Sequence, residues 1–141
     1  MKAALYLRVS TEEQTEAQTI QNQRDYLKAY CELNKIEVYE AYIDEAISGT
    51  LAFEDRPAGK RLLSDAEEKH FDQVIFYRID RFSCSLRVLL ETYQFLKYFN
   101  IDIRSASEPF DTSNPLGIFI MHMLASMAEL DMATILERVS A

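Results

Sequence analysis

The chain has 141 residues, of which 48% are hydrophobic, so it is long enough for one domain with a buried core. Its net charge of −8 disfavours general attraction to a polyanion such as DNA, and any contact with nucleic acid therefore needs a local cluster of arginines. No apolar run reaches the length of a membrane span, and Cys31 and Cys84 are far apart, which together predict a reduced, cytoplasmic protein. His70 and His122 are isolated in sequence, so their spacing predicts neither a His-based triad nor a zinc site.

The first apolar run, residues 3–9, has the character of a strand buried on both faces. Because side chains alternate along a strand, Arg8 and Ser10 project to the same side. A hydroxyl beside a guanidinium suits attack on a phosphate, since one group supplies the nucleophile and the other neutralises the oxyanion. The alternative is a serine that caps the next helix beside a surface arginine, and this segment alone leaves both interpretations open.

Apolar strands and helical patterns alternate along the rest of the chain. The predicted elements are helices at about 16–34, 56–69 and 84–98, strands at 37–43, 72–77 and 101–105, and a short edge at 108–110. This order predicts a three-layer α/β domain with a mainly parallel sheet of four to five strands.

Polar residues follow three of these strands at their carboxyl ends, where open α/β sheets bind ligands. The residues are Arg8 and Ser10, then Asp44, Ser48 and Gly49, then Asp80 and Arg81. Arg56 begins the helix just beyond the second loop. We therefore expect an arginine-rich patch around Ser10 that is assembled from distant parts of the chain.

The segment 115–138 is almost continuously apolar and contains every methionine except Met1. It predicts a long helix that docks on the domain at its start and on another subunit further along, because methionine suits surfaces that repack. A long core helix is the alternative. The pattern is still helical close to Ala141, which predicts a further C-terminal region.

Four segments of the chain resemble the serine recombinases, the group of resolvases, invertases and large serine integrases. The matching segments are Tyr6–Gln14, Ile20–Gln23, Asp44 through Ser48-Gly49 to Arg56-Pro57, and Asp80–Ser83. The resemblance covers nearly the whole chain, with these segments in the same order and at the same separations. The spacing from Asp44 to Arg56-Pro57 is most similar to the large integrase or transposase branch. The resemblance implies a resolvase-like catalytic domain at 1–114 and the start of an interface helix at 115–141, with the DNA-binding region outside this chain.

The resemblance also implies a reaction on double-stranded DNA. Ser10 would attack a phosphodiester, form a 5′-phosphoserine link and release a 3′-hydroxyl. Homodimers would assemble into a tetramer through the 115–138 helix, and rotation of one half would precede resealing. No metal, ATP or other nucleotide is used in the implied reaction, because the phosphoserine bond conserves the energy of the broken ester.

Roles follow from the matching positions. Arg8 and Arg81 would bind the scissile phosphate, Arg56 would support it, and Asp80 would orient the arginines or move a proton. The remaining supporting residues would be Gln23, Asp44, Ser48 and Gly49. Which group takes the Ser10 proton stays open.

Two positions depart from the family pattern. Cys84 stands where the family places another phosphate-binding arginine, which leaves a weakened enzyme, an altered variant, or a substitute such as Arg78 or Arg87. Arg87, one helical turn further along, is the first substitute we would test. Asp131–Thr134 lies where many relatives carry arginine, which weakens an expected contact between helix and DNA, whereas Glu137-Arg138 is retained.

Two other functions compete with a DNA-cutting recombinase. One is an impaired relative that binds DNA or partners without efficient cleavage. The other is an unrelated flavodoxin-like binder of phosphates or nucleotides, which lacks support because the chain has only three glycines and no Gly-rich phosphate loop.

Overall fold

The computed structural model describes the backbone of residues 1–10 and 19–140, and the side chains of residues 1–10 and 19–128. The predicted start of the first helix near residue 16 and the matching residues 11–14 lie outside the described residues. The side chains of Asp131–Thr134 and Glu137-Arg138 lie outside them as well.

Four parallel strands form one sheet, in the order β2-β1-β3-β4. The strands are β1 (Lys2–Val9), β2 (Glu37–Glu45), β3 (Gln73–Phe76) and β4 (Asp102–Ser105). The predicted α/β class with a parallel sheet is therefore confirmed. The predicted edge at 108–110 does not form a strand, because the chain turns tightly there and makes only an isolated antiparallel bridge between Arg104 and Asp111.

The helices are α1 (Ile20–Leu33), α2 (Pro57–Glu67), α3 (Ile79–Phe82), α4 (Leu86–Tyr98) and α5 (Pro115–Ser140), with a 3-10 turn at Phe53–Asp55. Thr19 and Ser85 cap α1 and α4 by accepting hydrogen bonds from the backbone N–H three residues later. The cap at Ser85 explains why α4 begins two residues after its predicted start at 84. The four-residue α3 was not predicted, because its sequence has no helical period of its own.

Helices cover both faces of the sheet, and the core forms two clusters, one on each face. Odd-numbered residues of β1 belong to one cluster and even-numbered residues to the other. The odd residues Ala3, Leu5 and Leu7 pack with Leu27 and Cys31 of α1. The even residues lie in a larger cluster with apolar side chains of α2, α4 and α5: Ala4, Tyr6, Leu62, Ala66, Leu89, Leu96 and Met121. The prediction that β1 is buried on both faces is confirmed, and the even face leads directly to Arg8. Among the described residues, no helix combines the length and apolarity that crossing a lipid bilayer requires.

Candidate active site

Arg8 is completely buried at the carboxyl end of β1, and its guanidinium holds two other strand ends together. Its Nε donates to the Arg81 carbonyl at 3.2 Å, and its Nη2 donates to the Asp80 carbonyl at 2.7 Å. Its Nη1 donates to the Ile47 carbonyl at 2.9 Å, in the loop after β2. The three strand ends that the sequence predicts to converge therefore meet at this one side chain.

Ser10 is half-buried and follows β1 directly, two residues beyond Arg8. Gln23 of α1 is buried beneath this point, where its Nε2 donates to the Arg8 carbonyl at 3.1 Å. This bond fixes the end of β1 against α1. Ser48, predicted as a supporting residue, is exposed, and its hydroxyl lies 2.8 Å from the Thr50 hydroxyl in a local turn.

Arg81 lies on α3 with only 7% of its surface exposed. Burial lowers the pKa of the Arg81 guanidinium from its usual value, and the positive charge of Arg8 lowers it further by a smaller amount. Both arginine side chains are thus buried, and the Arg8 guanidinium contacts the Arg81 backbone. A bound anion relieves their mutual repulsion, so the pair suits a phosphate.

Cys84 is exposed, and its thiol lies against the arginine cluster. Its Sγ donates to the Asp80 carbonyl at 3.2 Å and accepts from Arg8 Nη2 at 3.5 Å. Gly49 lies against the same atoms, since a Cβ there would come within 2.5 Å of Cys84 Sγ and 2.9 Å of Arg8 Nη2. A side chain at position 49 would therefore displace the Cys84 thiol or the Arg8 guanidinium.

Arg56 is also completely buried, and its guanidinium lies 4.8 Å from the centre of the Phe53 ring. Its acceptors are the carbonyls of Leu51 (3.0 Å), Gly49 (3.0 Å) and Phe82 (2.6 Å) and the hydroxyl of Tyr6 (3.1 Å). Arg56 therefore joins the loop after β2 to the end of α3. Both it and Arg8 contact Gly49 or its close neighbours.

Asp44 caps the N-terminus of α2, although it precedes Ala58 by fourteen residues in the sequence. Its Oδ1 accepts from the Ala58 N–H at 2.8 Å and its Oδ2 accepts from the Gly59 N–H at 3.1 Å. The N-cap residue of α2, Arg56, makes no side-chain cap of its own, so Asp44 satisfies these helix N–H groups instead.

Tyr6 links this cap to the arginines and was missed in the sequence analysis. Its hydroxyl donates to Asp44 Oδ2 at 2.8 Å and accepts from Arg56 Nη1. Burial raises the pKa of the Tyr6 hydroxyl well above its usual value, so the group remains a proton donor. The signal was present, because the alternation that aligns Arg8 with Ser10 also aligns Tyr6 with them.

The structure places other predicted site residues at the surface. The Asp80 side chain is 54% exposed and its Oδ1 lies 3.7 Å from Nε of Arg78. The Arg87 side chain is 82% exposed and its Nε lies 3.3 Å from a carboxylate oxygen of Glu91. Both suggested substitutes for the missing arginine are thus paired with carboxylates, and substitution by Arg87 stays a prediction.

The chain matches the family model described as "Resolvase, N terminal domain" over residues 3–141. It therefore belongs to the resolvase N-terminal domain family, as the N-terminal domain of a serine recombinase.

The chain is also similar in sequence to individual recombinases and invertases. The chain is 31% identical over 136 residues to "Serine recombinase gin" of Escherichia phage Mu, covering 96% of this chain and 63% of that protein. It is 33% identical over 137 residues to a "DNA-invertase" of Escherichia phage P1, covering 96% of this chain and 65% of that protein. The chain thus spans somewhat less than two thirds of these relatives.

A solved structure matches over nearly its whole length. It is the N-terminal catalytic domain of TP901-1 integrase, with a TM-score of 0.88 and 34% identity over 95% of this chain and 98% of that one. A resolvase family site-specific recombinase from Streptococcus pneumoniae has a TM-score of 0.81 at 23% identity, which supports the fold.

Proposed function

We propose that this chain is the catalytic domain of a site-specific DNA recombinase that cuts double-stranded DNA through Ser10. The observation that carries the proposal is that the buried Arg8, two residues before Ser10, donates a hydrogen bond to the backbone of the buried Arg81 at a neighbouring strand end. In this proposal residues 1–114 form the catalytic unit and 115–141 begin the interface helix. The DNA-binding region lies outside the chain, and the recombination reaction takes place in the cytoplasm.

The proposed reaction transfers one phosphate ester to another oxygen. Ser10 Oγ attacks the phosphorus as its proton leaves, a P–O bond forms to serine, and the bond to the 3′-oxygen breaks. That oxygen takes up a proton and becomes the free 3′-hydroxyl, while the 5′-phosphate stays on Ser10. Reversal with a new 3′-hydroxyl reseals the strand, and no metal or nucleotide takes part.

Charge and rigidity are the main contributions of the protein. Phosphoryl transfer depends on positioning and on stabilising charge over the phosphate oxygens. Arg8 is suited to this because three backbone carbonyls fix its guanidinium before substrate arrives. Arg81 provides a second guanidinium, and its pKa is lowered mainly by burial and further by the charge of Arg8.

The supporting residues act through these two arginines. Arg56 and Asp44 hold the loop after β2 and the start of α2 in place, and Gln23 holds the end of β1. Gly49 lets the thiol of Cys84 and the Arg8 guanidinium approach each other. In the proposed complex, Asp80 orients the arginines through its carbonyl and Ser48 supports its own loop.

Covalent trapping tests the proposal. The full-length protein is mixed with a suicide DNA duplex that contains its recombination site and a nick, so that resealing is blocked. We expect an SDS-stable protein–DNA adduct whose linked peptide contains Ser10. We expect no adduct from Ser10→Ala and an undiminished yield from Ser64→Ala, a matched change at an exposed serine of α2. An adduct that survives in Ser10→Ala overturns the assignment.

Cys84 supports a second candidate function, an impaired recombinase that binds DNA or partners without efficient cleavage. A thiol cannot replace the delocalised charge of an arginine at the phosphate. Site-specific binding of DNA with no adduct from the native protein would favour this second candidate.

The exposed face of α5 supports a homodimer. Its apolar residues are Leu116, Phe119, Met123 and Met127, each between 51% and 59% exposed, whereas Met121 on the other side is buried. Their spacing of three and four residues places them on one helix face. We propose that a second copy of the chain covers this face, and that two such dimers form a tetramer on DNA.

A charge on this face tests the dimer. We expect Phe119→Glu in the full-length protein to weaken self-association at least tenfold, because a carboxylate would be buried without a partner. Sedimentation equilibrium measures the effect, with Leu33→Glu as a control at an 83% exposed position on α1. Equal association of native protein and Phe119→Glu contradicts the proposed interface.

A further inference from the structure

Three side chains with metal-ligating atoms lie together at the C-terminal end of α2. One carboxylate oxygen each from Asp65 and Glu68 and one ring nitrogen of His70 all lie within 4.8 Å of one another. The cluster is at the end of α2 opposite to Arg56, roughly 16 Å away along an eleven-residue helix. It is therefore separate from the arginine cluster.

The end of α2 explains why His70 meets Asp65. Lys69 adopts a left-handed conformation with φ of 57°, and its N–H donates to the Ala66 carbonyl at 3.0 Å. The His70 N–H donates to the Asp65 carbonyl at 3.3 Å. This pair of bonds reverses the chain after the helix and brings the residue beyond it back over the last turn. Sequence spacing alone gave no sign of the cluster because the reversal is needed to form it.

Two tyrosines of β2 hold the cluster from a different element. The Tyr39 ring stacks on the His70 imidazole, with ring centres 5.3 Å apart and planes within 6°. The Tyr42 hydroxyl donates to Asp65 Oδ2 at 2.5 Å. In metal sites, outer residues of this kind fix the orientation of the ligands and lower the cost of binding.

The cluster is electronegative. Two of its three side chains, Asp65 and Glu68, carry carboxylates. His70 Nε2 and Glu68 Oε2 are 2.7 Å apart. A cation at this position would meet three ligand atoms and the negative charge of two carboxylates.

We propose that Asp65, Glu68 and His70 bind a divalent transition-metal ion of the Zn²⁺ type. One imidazole and two carboxylates match the donor preference of such ions, and water would complete the coordination. With bonds of about 2.1 Å, the His70 and Glu68 ligand atoms must separate to roughly 3.4 Å. Their side chains are 40% and 65% exposed, so they have room to move apart.

The bound ion would fasten the end of α2 to the segment that leads into β3. Because an ion that binds only the folded state stabilises it, zinc should raise the melting temperature of the chain. The proposal does not depend on the reaction of Ser10, and its test does not use DNA.

Zinc titration tests the site by calorimetry and by thermal unfolding of the chain. We expect one ion per chain with a micromolar Kd and a zinc-dependent rise in melting temperature. His70→Ala should weaken binding at least tenfold and remove that rise, and Glu68→Gln should do the same at an exposed position where folding is not at risk. His122→Ala, at the other histidine of the chain, should bind like the native protein. Equal zinc affinity in His70→Ala and His122→Ala, or no zinc binding by the native chain, overturns the proposal.

Discussion

Replacement of Arg56 by methionine is expected to lower the free energy of unfolding by about 3–5 kcal/mol. The guanidinium is completely buried and donates to three carbonyls and one hydroxyl. Methionine has similar length but no donor, so the carbonyls of Leu51 and Phe82 and the Tyr6 hydroxyl each lose a partner in the interior. A buried polar atom left without a partner costs about 1–3 kcal/mol, which makes this loss large.

Urea unfolding of the chain, followed by circular dichroism, measures the effect. The matched control is Arg61→Met on the same helix, where the arginine side chain is 56% exposed and pairs with Glu40. Such a surface pair contributes about 0–1 kcal/mol. Arg56→Lys should also be strongly destabilised, because a lysine has no planar fork to reach the same four acceptors. A loss for Arg56→Met no larger than for Arg61→Met contradicts this role for Arg56.

The sequence predicted the parts of the fold and site that depend on short-range periodicity. Alternation along β1 aligned Arg8 with Ser10, and the order of strands and helices placed Arg81 at a neighbouring strand end. Both inferences need only the geometry of a strand and the parallel arrangement of the sheet. In the structure Arg8 Nε donates to the Arg81 carbonyl at a neighbouring strand end, as the second inference requires, whereas the alignment of Ser10 with Arg8 stays a prediction.

The sequence could not predict contacts that depend on how loops fold over the sheet. Asp44 has the sequence context of a loop residue, yet it is the penultimate residue of β2 and caps a helix that begins thirteen residues later. Arg56 follows a loop at residues 51–55, and its guanidinium lies over Phe53, which packs in turn against Phe82. Neither fact has a local periodic signal.

Gly49 shows how closely the two arginine networks are connected. Its carbonyl accepts from Arg56 Nη2 and from the Cys84 N–H, while Arg8 and the Cys84 thiol lie against its Cα. Position 84 therefore adjoins both arginines, Arg8 through its side chain and Arg56 through the shared Gly49 carbonyl. This makes Cys84 the most informative position for testing the proposed chemistry.

Replacement of Cys84 by arginine is expected to accelerate formation of the phosphoserine adduct by about 10²–10³-fold, the usual effect of one well-placed charged donor. The thiol is exposed and already contacts Arg8 Nη2 at 3.5 Å, so the first atoms of a longer side chain can follow its path and extend into solvent. The new guanidinium would lie beside Arg8 and Arg81 and add a third positive charge for the phosphate oxygens. Without DNA, repulsion among the three cations should cost about 1 kcal/mol of stability.

Single-turnover adduct formation on the suicide duplex, with the full-length protein, measures the rate. Cys84→Lys separates charge from geometry, and we expect a smaller gain because an ammonium cannot bind two phosphate oxygens side by side. Cys84→Ser keeps the size of the native side chain and should give no gain. If Cys84→Arg is no faster than Cys84→Ser, the missing arginine does not limit cleavage, and another group in this chain must already supply its charge.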